Sequence, residues 1–175
     1  MSLELIIGSM YSGKSTELMR RVECLKSIGT RCLVINHQND TRVDGGFVQT
    51  HTGKRIPARK TDDLLMVDFR AYDSIAIDEG QFFSNLRTAV MIMVEKHGKH
   101  VIVAGLSGDY LRQPFGEILD LIPVADDIQY KRALCAQCCH PTRLASFTKR
   151  VSDEKDTVSV ESSYLALCRL CYINS

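Results

Sequence analysis

The sequence predicts an α/β protein: a parallel sheet flanked by helices, followed by a small metal-binding segment. Three observations predict it. Short apolar runs alternate with stretches of helical period over the first two thirds of the chain, the pattern of a doubly wound parallel sheet. The first run opens onto Gly8-Ser9-Met10-Tyr11-Ser12-Gly13-Lys14-Ser15, a turn of the pattern GxxxxGK[ST] that leads straight into a helical stretch. Two Cys-x-x-Cys pairs, Cys135/Cys138 and Cys168/Cys171, stand near the carboxyl end. The character of the chain changes at Gln129, which divides it into a P-loop NTPase-like nucleotide-binding domain, 1–128, and a zinc-binding domain, 129–175.

The totals narrow the class. With 175 residues, 45% hydrophobic and 25% charged, the chain supports one main domain with a small appendage and can bury a core. The net charge of +1 gives no electrostatic footprint for nucleic acid or for a membrane surface. No apolar run approaches a membrane span, and the amino terminus lacks a signal peptide's basic start and apolar core. The expectation is a cytoplasmic protein with no membrane and no nucleic-acid partner. In that setting seven cysteines argue for metal rather than disulfides.

Leu3–Ile7 is the first expected strand. The helix after it, Thr16–Ile28, carries Leu18, Met19, Val22, Leu25 and Ile28 as an apolar stripe and ends at Gly29 as C-cap. Met19 and Cys24 read as core or helix-surface residues. Arg31–Asn36 is a second strand, too uniformly apolar for an exposed sheet face. The polar stretch from His37 to Arg55, with Asp40, Arg42 and His51, reads as a flexible connection or hairpin leaving the carboxyl edge of the sheet, where such folds place ligands. Ser74–Asp78 is a strand, Ser84–Gly98 a helix capped by Ser84, and His100–Gly105 another buried strand. Glu117–Ile122 is expected to be a short helix stopped by Pro123.

The chemistry concentrates at two places. In Gly8–Ser15 the glycines let the backbone close around phosphates, with its N–H groups and the positive end of the following helix aimed at them. Lys14 would reach the β- and γ-phosphates of ATP, and the Ser15 hydroxyl would ligate Mg2+. Asp78, ending an apolar strand, has the Walker B pattern of a carboxylate that helps hold Mg2+. Glu79, the next residue, is placed to act as a general base. Of the adjacent aromatics Phe82 and Phe83, one is expected in the core and the other in the wall of an apolar pocket. Asp40 and Arg42 could face the phosphates or the metal. The four thiols of the two Cys-x-x-Cys pairs match a structural Zn2+ site, with a hairpin between them formed by Arg143–Arg150, a turn near Asp153–Asp156, and Thr157–Val160. Cys139 is expected not to be a ligand, because the register already uses Cys138.

Taken together, GSMYSGKSTEL, NDTR, THTG, AIDEGQFF, VIVAGL, CAQC, ASFTKR and CRLCYI, in that order, closely resemble the thymidine kinase family of the cellular and poxviral kind. The resemblance implies transfer of the ATP γ-phosphoryl group to the 5′-hydroxyl of thymidine, a step of nucleoside salvage for DNA synthesis, with Glu79 as base. It implies that Gly8 to Ser15 hold the triphosphate and that Asp40, Arg42, Asp78 and Gln81 sit at the nucleotide and metal. It also implies that Met10, Phe82, Leu106, Tyr110, Phe115, Thr148, Val158 and Tyr164 line the thymidine pocket under a zinc-stapled lasso. Family members are typically homotetramers inhibited by thymidine triphosphate. Two features depart from the pattern. Val158-Ser-Val-Glu-Ser-Ser-Tyr164 lacks the usual glycine turn, and Ser107 and Tyr110 stand where Asp and Phe are common. Both bear on which pyrimidines are accepted. Two other readings compete: an ATPase whose zinc ribbon grips nucleic acid, and a P-loop protein that binds nucleotide without transferring phosphate.

Overall fold

A computed structural model describes residues 1–40, 45–50, 53–151 and 164–175. Arg42, His51, Val158 and the segment Thr157–Val160 lie outside the described residues.

The main sheet is built from β1 (Ser2–Gly8), β2 (Cys32–His37), β5 (Arg59–Thr61), β6 (Ser74–Asp78), β7 (His100–Leu106) and β8 (Asp127–Lys131), in the order β5-β2-β6-β7-β1-β8 with all pairs parallel. Helix α1 (Lys14–Ser27) follows β1. A short hairpin of β3 (Phe47–Gln49) and β4 (Arg55–Pro57) follows β2, and α2 (Leu86–Met91) follows β6. Along β1 the side chains alternate between two cores. Leu3, Leu5 and Ile7 pack with Leu86, Val90 and Met93, whereas Ile6 packs with Leu18, Met19 and Val22 of α1. Burial on both faces is why these strands read as unbroken apolar runs. Each such side chain contributes about 1.5–3 kcal/mol relative to exposure.

The parallel arrangement brings the carboxyl ends of β1, β2, β6 and β7 to one edge. Gly8 stands opposite Leu106, and Asn36 opposite Asp78. The loops that leave this edge carry nearly all the polar residues singled out above. Arg21 fixes α1 on the sheet through Glu4 and through Gln129 at 3.0 Å.

One element end matches expectation and several others do not. Helix α1 ends in the expected glycine cap: Gly29, at φ 81°, donates to the Lys26 carbonyl and Thr30 to that of Leu25. The helix after β6 starts at Leu86, with no side-chain cap, and runs on from α2 as a π-helix over Ile92–Lys96. Pro123 does not stop the turn before it but lies within a 3-10 helix, Ile118–Val124. Two edge strands were not foreseen, β5 and β8. Both are short and polar, so neither gives the apolar run that marks a buried strand. β8 carries the main sheet past residue 128, where the sequence reading set its division.

The rest of the described chain forms two small antiparallel pairs. β9 (Ala133–Leu134) pairs with β10 (Leu144–Ala145), and β11 (Phe147–Arg150) with β12 (Tyr164–Leu167), before a short helix α3 (Arg169–Ile173). The partner of the Phe147–Arg150 strand is thus Tyr164–Leu167. Their shared core is Ala133, Cys135, Ala145, Ala166, Leu167, Cys168 and Cys171. Among the described residues no helix is long and apolar enough to cross a membrane.

Candidate active site

The turn between β1 and α1 wraps tightly because its glycines permit it. A side chain at Gly8 would lie 2.0 Å from the Lys131 carbonyl oxygen of the neighbouring strand. Gly13, at φ 76°, takes the left-handed conformation at the helix start, and no side chain caps that end. Lys14 is buried and donates from Nζ to the Ser9 carbonyl at 2.8 Å, while the Ser12 hydroxyl donates to the same oxygen at 2.8 Å. The Ser15 hydroxyl donates to Asp78 Oδ1 at 3.2 Å. A hydroxyl and a carboxylate at the phosphate end of a P-loop form the donor set that suits Mg2+.

Glu79 follows directly, in the left-handed region at φ 53°. A non-glycine residue there is strained by about 1–2 kcal/mol, a cost often met at functional positions. Its carboxylate is oriented by Gln81, whose Nε2 donates to Glu79 Oε2 at 2.6 Å and whose Oε1 accepts from the Leu106 backbone N–H at 3.0 Å. Gln81 is itself buried, and a Cβ at Gly116 would lie 2.1 Å from its carbonyl oxygen. Glu79 lines one depression together with Met10, Tyr11, Gly13, Lys14, Ser15, Thr16, Gln49 and Thr50. Glu79 and the Gly13–Thr16 end of the turn thus face a common space, with Asp78 bonded to Ser15 beside it.

Asp40 is buried beyond the end of β2. Its carboxylate accepts from Asn36 Nδ2 at 2.8 Å, and its carbonyl accepts from Lys60 Nζ at 2.6 Å. Phe83 is fully buried, whereas Phe82 is half-buried and meets Phe115 edge-on with centroids 5.5 Å apart. Of the two aromatics, Phe83 is thus the one in the core. Thr148 of β11 accepts the Met10 backbone N–H at 3.0 Å, and the Ser9 hydroxyl donates to the Ala145 carbonyl at 3.0 Å, so the C-terminal strands rest on the P-loop itself. Leu106 is buried at the end of β7. Tyr110 is in the following loop beneath the Arg150 guanidinium, 5.3 Å from its ring centroid, and Tyr164 opens β12 opposite Arg150.

The sulfur atoms of Cys135, Cys138, Cys168 and Cys171 lie within 4.8 Å of one another. Four thiolates bound tetrahedrally at about 2.3 Å would be about 3.8 Å apart, so the donor set fits Zn2+. Without a cation the four charges could not coexist. Cys135 is drawn down to about 6, because backbone hydrogen bonds from Cys138, Cys168 and Gln137 outweigh its burial. Cys171, hydrogen-bonded to Cys138 and buried, is pushed up to about 12. Cys139 lies outside the cluster, exposed, with its thiol on the Ala136 carbonyl.

Sequence reasoning passed over several residues here. Asn36 was read only as a strand end and His37 as the start of the polar connection, whereas the strand runs through His37 and both are buried at the ligand edge. The His37 ring meets Phe83 edge-on at 4.7 Å and Phe82 at 5.6 Å, and its Nδ1 accepts the Asn39 N–H at 3.1 Å. That bond requires the neutral ring. Burial lowers the His37 pKa, against an opposing pull from Asp62. Below about pH 6.5 the unfolded chain therefore binds a proton that the folded chain resists, and stability falls as pH falls. His37→Asn should flatten this acid limb, as read from urea midpoints between pH 7.5 and 5. An unchanged slope would dismiss His37 as its source.

A P-loop at the head of a parallel sheet, beside a strand that ends at Asp78 with Glu79 next, has the form of a P-loop nucleotide-binding protein. The family model "Thymidine kinase" matches residues 1–172. The chain is 40% identical to "Thymidine kinase, cytosolic" of Homo sapiens over 97% of its length and 72% of that protein's. It is 41% identical to "Thymidine kinase" of Yaba monkey tumor virus, covering 97% and 93%, and 40% identical to that of raccoon poxvirus, covering 98% and 97%. The chain belongs to the thymidine kinase family, and it is a kinase.

Proposed function

We propose that the protein transfers the γ-phosphoryl group of ATP to the 5′-hydroxyl of thymidine. The observation that carries this reading is the shared depression in which Glu79 faces Lys14 and Ser15 of the P-loop. Gly8 to Ser15 bind the triphosphate, and Ser15 and Asp78 would hold Mg2+, which when bound neutralises charge on the phosphates. Asp40, Arg42 and Gln81 complete the surroundings of nucleotide and metal. Glu79 takes the proton of the 5′-hydroxyl as its oxygen bonds to the γ-phosphorus, and the bond to the bridging oxygen breaks toward ADP. Lys14 and the P-loop N–H groups stabilise the charge that moves onto that oxygen.

Met10, Phe82, Leu106, Tyr110, Phe115, Thr148, Val158 and Tyr164 are the nucleoside-binding set. The P-loop segment, 1–128, and the zinc-binding segment, 129–175, act as catalytic body and lid, and the lid excludes water as an unwanted acceptor. Two contacts support that role, from Ser9 to Ala145 and from Met10 to Thr148. Likeness to relatives named cytosolic supports work in the cytoplasm, and the motif resemblance to the family extends the reading to a homotetramer restrained by thymidine triphosphate. The test is product identity: incubation with Mg·ATP and thymidine yields thymidine 5′-monophosphate, whereas deoxyguanosine yields none. Phosphate appearing on neither nucleoside would refute the assignment.

A further inference from the structure

The loop after β7 folds largely upon itself. Asp109 Oδ1 accepts the N–H groups of Leu111 at 2.9 Å and Gln113 at 2.8 Å, and the Asp109 N–H donates to the Gln113 carbonyl at 2.9 Å. So short a unit, held by a few exposed hydrogen bonds of its own, opens readily unless outside contacts hold it against the sheet. One is Phe115 against Phe82. Another comes from the far end of the chain: the Tyr172 hydroxyl donates to the Tyr110 carbonyl at 2.7 Å. The Arg112 guanidinium, carried on a left-handed backbone at φ 64°, lies over the Tyr172 ring at 4.6 Å and near that of Phe147 at 5.9 Å. Lys149 Nζ also lies over the Tyr172 ring, 5.3 Å from its centroid.

Tyr172 is anchored at the four-cysteine cluster. It follows Cys171 in α3, and its N–H donates to the Cys168 carbonyl at 2.9 Å. We propose that Tyr172 is a positioning residue that transmits the order of the zinc cluster to the nucleoside pocket, by holding the Tyr110–Phe115 loop through its hydroxyl and the Arg112 stack. This rests on the reading of Tyr110 and Phe115 as pocket residues. With zinc in place, Cys168 and Cys171 fix α3, and α3 fixes the loop. Withdrawing zinc should loosen that hold.

The test uses the full-length zinc-loaded protein and the variant Tyr172→Phe, which keeps the ring and its cation contacts and removes only the hydroxyl. The KM for thymidine should rise about fivefold, the loss of roughly one hydrogen bond, while kcat, the KM for ATP and zinc content stay within twofold. Backbone hydrogen exchange at Leu111 and Gln113 should quicken by a similar factor, and chelation of zinc from the wild type should reproduce that change. Arg112→Lys, which retains a cation for the stack, should lie between wild type and Tyr172→Phe. Exchange does not depend on the substrate, so it reads the coupling even if the wild type phosphorylates another acceptor. Unchanged exchange in Tyr172→Phe, or KM values for ATP and thymidine that rise together, would overturn the proposal.

Discussion

Glu79→Gln should lower turnover by roughly a hundredfold or more and leave ATP affinity nearly intact. The substitution preserves shape. A glutamine at this position still offers a carbonyl oxygen to Gln81 Nε2, which now lies 2.6 Å from Glu79 Oε2, so the orientation of the side chain survives while its basicity is lost. The P-loop contacts, Lys14 to Ser9 and Ser15 to Asp78, do not involve this carboxylate and should persist. Titration with ATP and a single-turnover rate separate binding from chemistry. A rate equal to wild type would remove Glu79 from the mechanism.

Withdrawing zinc should have the second large effect. The core that joins β9 to β12 consists of three alanines, three of the cluster cysteines and one leucine. Two-stranded sheets over so little apolar area are not stable by themselves. Structural zinc binding, worth about 10–16 kcal/mol in small metal-dependent domains, can supply what this core lacks. Chelation should therefore release one zinc per chain and open β9–β12 to hydrogen exchange, while β1, β6 and β7 stay protected to a higher temperature. A stoichiometry near zero in the fully active protein would refute the structural-zinc claim.

Much of this was legible before any coordinates. The apolar runs of β1, β2, β6 and β7 are buried on both faces, so each announces itself, and their alternation with helices implies the parallel sheet. From that sheet it follows that Gly8–Ser15 and Asp78-Glu79 share an edge. The four cysteines were legible because each pair must occupy one tight turn. What stayed hidden was long-range and polar. β5 and β8 are edge strands with mixed side chains and no apolar signature. The Asn36–Asp40–Lys60 contacts join a strand end, a polar connection and a short edge strand that no local pattern ties together. Tyr172 had no reading of its own in the sequence, and only the fold shows it reaching Tyr110 across the chain. Lys149 and Arg169 lie over Tyr172 and Phe147, with Arg112 joining from the loop, so these aromatic faces are covered by the protein's own cations.

The central claim is that phosphoryl transfer waits for the nucleoside and passes through Glu79. ADP formation by the purified protein with Mg·ATP tests it most directly, measured with thymidine, with no nucleoside, and in Glu79→Gln. The account predicts rapid ADP formation only in the wild type with thymidine, matched by an equal amount of thymidine monophosphate. ADP released at the same rate without nucleoside would contradict it and mark the protein as an ATPase with a different partner.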